Sequence, residues 1–590
     1  VAQYAGSTFS LTVNLVAQFY NRVLPGSNST FKLSSDDPNH KLGAFGNFNT
    51  VNGQFITTHT YLVTQSTAAG WTITASTATG DAVLPDESAR FRVYPSTAAK
   101  LVIVLPGQAR ADGVGMSGNP NTQIAGENIV LTVYAVDAGW NYVPVDQRNL
   151  RLRTFTDPFV QSSWTVSMAN GVALATVSLR AVGVHSLTID DQSGVPPGLA
   201  GVTSSTFTLV ASNPKKLRVL LPNQAGVSGS TTTGRSGIPI DQNAGTTVTV
   251  TLQVTDTFWN LTPGASQQIR IVATDPYALI TPSTLTVVGQ ALIAVIFRRS
   301  ALNYVRAEML YQNPPWGDIL DKDTSTVVSV LAGTPKKLLA ILPGEEFDVG
   351  ASNGKKGSPN ITAKAGESFY ATVAVVDQYF NVVTGRATNV RIKSPPGFPF
   401  AVSAPSAAIN IAFGMTDAQA LPVTLVAAAT WHQVVPEEDP SSGLSSSDFS
   451  STFTITAANP KGLQVLLPGE FNAPGAGIYP NGGKTGSPLT RTAGKSFQIT
   501  VNLDDNYNNI APAAAGPNDY FKTTDDYDNE PTTASLGGGS RVFNFDGMVT
   551  KTTAAVIAVH PRIWLDAVNQ DPDSKVCTAN PSGDPLLNKN

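Results

Sequence analysis

Along most of the chain apolar and polar residues alternate with a period of two, in runs of about six to nine residues. The stretch "KAGESFYATVAVVDQYFN", Lys364 to Asn381, is typical: an alternating run that breaks into an acid, two aromatics and an amide. Strict alternation predicts a strand with one face buried and one wet. The same pattern occurs five times. Ala-Gly opens it at Ala5, Ala125, Ala244, Ala365 and Ala493, and an asparagine closes it at Asn21, Asn141, Asn260, Asn381 and Asn509. Ala to Asn is 16 residues in every copy, as from Ala365 to Asn381, so nothing is inserted between them. Successive asparagines are 120, 119, 121 and 128 residues apart, the length of one β-sandwich.

A second block precedes each later copy: "AAKLVIVLPG" at Ala98, "PKKLRVLLPN" at Pro214, "PKKLLAILPG" at Pro335 and "PKGLQVLLPG" at Pro460. Each is a short apolar run stopped by proline, the signature of a first strand and a turn. The last strand of the preceding copy, such as "STFTLVAS", ends only a few residues earlier. Together with runs such as "LRLRTFTDP" and "QIRIVATDP" after the asparagine, about seven short strands per copy predict a sandwich. The expected architecture is all-β: a tandem array of five Ig-like β-sandwich domains in an elongated rod. The expected domains are 1–97 (lacking a first strand), 98–212, 213–333, 334–458 and 459–590, the last with a C-terminal tail.

Composition agrees. Of 590 residues 14% are charged, with 50 Gly and 40 Pro, and long helical patterns are missing. A net charge of −4 gives no basis for nucleic-acid binding, and no apolar run is long enough to span a bilayer. The single cysteine, Cys577, can form neither an intrachain disulfide nor, alone, a zinc site.

The succession of Ala-Gly, alternating strand, Asp, aromatic and Asn resembles the bacterial Ig-like repeats of the invasin and intimin type. The matching residues are Asp137 to Asn141, Asp256 to Asn260, Asp377 to Asn381 and Asp505 to Asn509. Most copies lack the Gly and Pro that flank this asparagine in the family, and each has a long Gly-rich segment between its first and second strands. The resemblance implies an Ig-type fold and a cell-surface setting.

The Asp-to-Asn turn reads as a structural corner rather than a cation site, because Ala17 replaces the Asp in the first copy. Asn and Asp there are expected to tolerate left-handed backbone angles and to cap the turn. The turn is expected to face the preceding domain. The long segment after the first strand, Gly344 to Gly366 in the fourth copy, is expected at the far pole, against the turn of the next copy. Tyr20, Asn21, Trp140, Asn141, Trp259, Asn260, Phe380 and Asn381 are thus the expected interdomain joint, and the last copy has Asn508 where the others have an aromatic. The calcium candidate is the acidic set Asp504, Asp505, Asp525, Asp526 and Asp528, with Glu530 beside it; no other cofactor is implied. Asn28, Asn260 and Asn360 head Asn-x-Ser/Thr sequons and are glycosylation candidates. The five histidines share no catalytic spacing, so no enzyme is expected. Trp71, Trp164, Trp316, Trp431 and Trp564 are candidates to stack on sugars, though they do not recur at one repeat position; Trp71 and Trp431 fall in strand-like runs and have a core position as the alternative.

The first copy lacks a first strand, and "CTANPSGDPLLNKN" at the other end resembles the lead-in to a further copy. Two readings follow: a section of a longer array, or a subunit that self-associates head to tail by strand addition. The expected role is an extracellular filament, stalk or surface-layer subunit. The rival is an adhesin whose partner is a glycan or protein receptor.

Overall fold

In the third repeat, alternation at Thr247–Thr255 sends Val248, Val250, Leu252 and Val254 into a core and leaves Thr247 and Thr249 in water. This strand is flanked antiparallel by the first strand, Lys216–Leu220, and by Gln290–Ile296, which pairs in turn with Leu279–Thr281. The facing sheet runs Thr284–Val288, Ser266–Ala273, Val305–Met309 and Asp323–Thr324. A short third sheet, in which Gln242–Asn243 runs parallel to Val328–Leu331, closes the flank. Leu217, Val219, Ile269, Ile271, Val287, Val295 and Val305 fill the space between the sheets. This is an antiparallel Ig-type sandwich whose two inner faces interdigitate.

We describe a computed structural model, which covers residues 3–567 except 24–29, 38–47, 50–52, 61–69, 146, 311–319, 394–408, 412–417, 440–442, 445–448, 490, 493, 513–517, 524–533 and 546–562. Every regular element among the described residues is a strand. The pairing of first strand, second strand and returning strand recurs at Lys100–Val104, Ile129–Val136 and Val172–Val177, at Lys337–Ile341, Ser368–Val376 and Ala418–Thr424, and at Gly462–Leu466, Phe497–Asp504 and Ser540–Phe545. Separate buried clusters lie around Leu33, Leu131, Val250, Val373 and Val501.

The two outer faces differ. That of the facing sheet carries cross-strand ion pairs, such as Arg270 with Glu308 and Arg391 with Glu437. On the other outer face the second and returning strands present Thr, Ser, Asn, Gln and apolar side chains, as at Thr249, Thr251 and Leu292.

Candidate inter-repeat joint

Each Asp-to-Asn turn is built in one way. Oδ1 of the aspartate accepts the backbone N–H two residues on and again four residues on: Gly139 and Asn141 for Asp137, Phe258 and Asn260 for Asp256, Tyr379 and Asn381 for Asp377, Tyr507 and Asn509 for Asp505, all at 2.7–3.0 Å. The asparagine amide donates back to the carboxylate at 2.8–3.0 Å. The left-handed position is not the asparagine. It is the residue before it, with φ of 60° at Tyr20, 69° at Trp140, 63° at Trp259, 62° at Phe380 and 60° at Asn508. An aromatic at positive φ is a sterically costly choice. The carboxylate cage holds it there and so aims the side chain. In the first repeat Ala17 keeps the backbone bonds of the turn without the cage: Ala17 N–H to Asn21 O and Tyr20 N–H to Ala17 O.

The turn grips the preceding repeat at three points. The asparagine amide spans a three-residue loop: Asn260 donates to Arg180 O (2.7 Å) and accepts from Val182 N–H (3.1 Å). Asn381 does the same to Arg298 O and Ser300 N–H, and Asn509 to Val426 O and Ala428 N–H, all at 2.7–2.8 Å. The second aspartate oxygen accepts a backbone N–H of the connecting segment: Ser96 to Asp137, Ser212 to Asp256, Gly333 to Asp377 and Ala458 to Asp505, at 2.7–3.1 Å. The third point is an aromatic two residues after the aspartate. Phe258, Tyr379 and Tyr507 pack on the core of the preceding repeat, over the glycine of its Ala-Gly. A Cβ at Gly126, Gly245 or Gly366 would overlap those rings, and all three glycines have φ between 83° and 86°. Charge-assisted bonds to buried amides are the strong class, about 1.5–3 kcal/mol each.

The receiving loop is braced by its own repeat through residues that sequence reasoning passed over. His185 Nε2 bonds Ala181 O, between the two atoms held by Asn260. Asn303 donates to Arg299 O and His432 Nε2 bonds Ala427 O at the matching places. Asp157 accepts from Arg180 and Ala181 N–H, and Asp275 from Arg298 and Arg299 N–H. The signal was present: both aspartates lie in a recurring Thr-Asp-Pro, and His, Asn and His follow the loop by four or five residues. Burial holds the imidazole of His432 below its ordinary pKa, opposed by its bond to Ala427 O.

The long segment after the first strand corrects an expectation. It does not stay at the far pole. It folds down the outer face as a hairpin, Glu345–Phe347 with Lys355–Gly357 in the fourth repeat, and packs on the turn of its own repeat. Gly354 lies against Phe380, Gly115 against Trp140 and Gly234 against Trp259, with no room for a Cβ. Its end alone is seen to meet the next repeat among the described residues: Lys364 donates to Asn459 Oδ1 (3.2 Å) and Gly366 lies against Tyr507. Trp259 is 9% exposed, and its indole N–H donates to Thr232 O within its own hairpin. The positive-φ aromatics therefore anchor the hairpin, and the residue before them reaches the neighbour. A lysine of the first strand covers each ring: Lys100 over Trp140 at 3.3 Å, Lys216 over Trp259 at 4.6 Å and Lys337 over Phe380 at 3.6 Å. In the third repeat Arg218, its pKa lowered to about 10 by burial, donates to Gly234 O and Trp259 O.

The first repeat presents its turn to solvent: Phe19 is 79% and Tyr20 82% exposed, and Asn21 is exposed. Strand Thr8–Asn14 pairs with Gln54–Thr60 on one side. No described strand lies on its other edge, where later repeats have their first strand. At the junction with the second repeat Gly139 stands where later turns have Phe or Tyr, and nothing covers Gly6.

The remaining site candidates are scattered. Both oxygens of Asp505 are taken by amides of its turn and by Ala458 N–H. Asp504 is buried beside it. Asp525, Asp526, Asp528 and Glu530 lie outside the described residues, as do Asn28, Cys577 and the C-terminal tail. No group of three or more acidic, His or Cys side chains suited to a metal occurs among the described residues. Asn260 is fully buried with its amide engaged, which leaves no space for a glycan in the folded chain; Asn360 is exposed. Of the two readings for these tryptophans, Trp71 packs on the first core, whereas Trp431 is half exposed and stacks on His432.

No family model and no curated protein matches the chain. Among solved structures it is similar to the D0-D1 domain of intimin (13% identity, 35% of this chain, 94% of that one, TM-score 0.15) and to invasin, a bacterial integrin-binding protein (13%, 76% and 79%, 0.20). It is also similar to domains 4–9 of the surface layer protein SbsC (14%, 94% and 82%, 0.17). These whole-chain scores are low and carry no functional argument; the Ig-type assignment rests on strand order and inter-sheet cores. No described helix is long and apolar enough to cross a membrane.

Proposed function

We propose that this chain is a non-enzymatic extracellular structural protein, a subunit of a cell-surface filament, stalk or surface layer. The observation that carries this reading is the repeated grip. From the third repeat on, each turn commits its aspartate, its asparagine and an aromatic to the repeat before it, and the receiving loop is braced from behind. That investment suits a chain whose task is to hold a set reach and direction. A flexible Gly/Ser tether would need none of it.

The open edge of Thr8–Asn14 and the exposed Phe19, Tyr20 and Asn21 form the acceptor in this reading. A strand from another copy adds along the edge by β-augmentation, and a preceding repeat seats on the turn. A heterologous contact of this kind propagates into an open filament. Negative-stain microscopy of the purified protein tests the proposal: fibres or lattices are expected. Separate single rods would instead favour an adhesin whose stalk presents a receptor- or glycan-binding end. Assembly that is unchanged after truncation beyond Asn580 would exclude donation by the tail.

A further inference from the structure

Under the hairpin of the fourth repeat lies a small second core on the outer face of the sheet. It is apolar: Leu339, Phe347, Ala374, Val376, Phe380 and Ala418, with Ile341 and Val382. In the fifth repeat strand register puts Gln464, Asn472, Asn502, Asp504, Asn508 and Ser540 at the first six of these places. Six apolar positions have become polar together. The first-strand lysine that covered the aromatic is gone too, replaced by Gly462.

These side chains are partly wired to one another. Asn502 donates to Gln464 Oε1 (2.9 Å), Gln464 to Gly483 O (2.8 Å), and Ser540 to Asn502 Oδ1 (2.6 Å). Yet Asp504 is 0% exposed and neither of its carboxylate oxygens has a hydrogen-bond partner; buried Asn472 Oδ1 has none either. Three orphan oxygens need an explanation, since buried polar atoms are nearly always paired or bound to water or an ion. The charges do not balance. The fourth repeat sets one lysine, Lys355, against one glutamate, Glu345, with Val376 beside them. The fifth keeps that pair as Lys484 and Glu470, 3.8 Å apart, and adds Asp504 with no added salt-bridge partner among the described residues.

We propose that the fifth repeat binds a hard, oxygen-seeking cation of the calcium class beneath the 470–472/484–486 hairpin, held by the Asp504 carboxylate and Asn472 Oδ1. The side-chain carbonyls of Gln464 and Asn502 each accept one hydrogen bond and keep a second lone pair, and water completes the six to eight oxygens such an ion takes. The site differs from the acidic set read in the sequence: it uses Asp504 with Asn472, Asp505 is used up in its turn, and residues 525–530 lie outside the described residues. It stands independently of the filament reading.

Calorimetric titration of calcium chloride into the EDTA-treated full chain tests it. The expected result is binding that disappears in Asp504→Val/Asn472→Phe, which installs the fourth repeat's residues, and that survives in Asp525→Asn/Asp526→Asn/Asp528→Asn. Should the first variant misfold, Asp504→Asn keeps the polar volume and lowers affinity at least tenfold at unchanged circular dichroism. Calcium is also expected to raise the unfolding temperature of the wild type and not of the Asp504 variants. No calcium heat and no thermal shift in the wild type would overturn the proposal, as would loss of binding in the triple variant alone.

Discussion

The fourth and fifth repeats share a backbone plan and a grip but fill the space under the hairpin in opposite ways. In the fourth, Phe380 sits at positive φ because its ring has an apolar pocket and Lys337 above it. In the fifth, Asn508 takes the same φ with less steric cost and donates to Asn481 O, while Tyr479 occupies the space near Gly462. Yet Asn381 and Asn509 hold their preceding loops at 2.7–2.8 Å alike. The grip is thus set by the aspartate cage, and the patch beneath the hairpin is free to take on another chemistry.

Exchanging the patches should separate these two functions. Phe380→Asn puts the fifth repeat's residue into the apolar pocket of the fourth. The lost packing costs about 3 kcal/mol, reduced in part because Asn accepts the left-handed backbone more readily. Denaturant unfolding is expected to show that loss, with hydrogen exchange at residues 298–300 unchanged; weakened protection there would tie the patch to the grip. Asn381→Ala and Asn509→Ala each remove two inter-repeat bonds and should cost about 2 kcal/mol. The two losses are expected to match within about 0.5 kcal/mol, since these sites share no partners.

Asp504→Val should act in the other direction. In calcium-free buffer it removes a buried, unpartnered carboxylate and stabilises the fifth repeat by about 1 kcal/mol; destabilisation would show that Asp504 is satisfied by Lys484. The smallest effect is a pH dependence confined to the fourth repeat. His432 is held below its unfolded pKa of about 6.5 by burial. The unfolded chain therefore takes up the proton first, so the stabilising contribution is complete above that value and declines as pH falls below it. Protection of the amides at residues 426–428, relative to their intrinsic exchange rates, is expected to fall on acidification from pH 7, and His432→Gln should remove the trend.

Much of the fold was legible because alternation and fixed spacing are local signals. "TVTVTLQVT" can bury only one side, and the 16-residue Ala-to-Asn interval leaves only one register for strand and turn. Parts of the joint were legible for the same reason, since Asp, aromatic and Asn recur at constant offsets. What was misread concerns partners. That Asn260 reaches Arg180 and Val182, about 80 positions earlier in the chain, leaves no mark in either segment alone. His185 and His432 looked like isolated histidines because the carbonyls they hold gain meaning only when the next repeat docks.

The sequence by itself determined an all-β chain of repeated sandwiches and the corner at each asparagine, because these follow from side-chain periodicity and turn chemistry within a few residues. Tertiary structure alone decided that the long segment folds back onto its own turn and that the left-handed residue is the aromatic. It also decided that Phe258, Tyr379 and Tyr507 cross to the neighbour, and that polar side chains of the fifth repeat replace the apolar patch beneath the hairpin of the fourth. Those outcomes depend on which surfaces exclude water from each other, and that is settled between strands far apart in the chain.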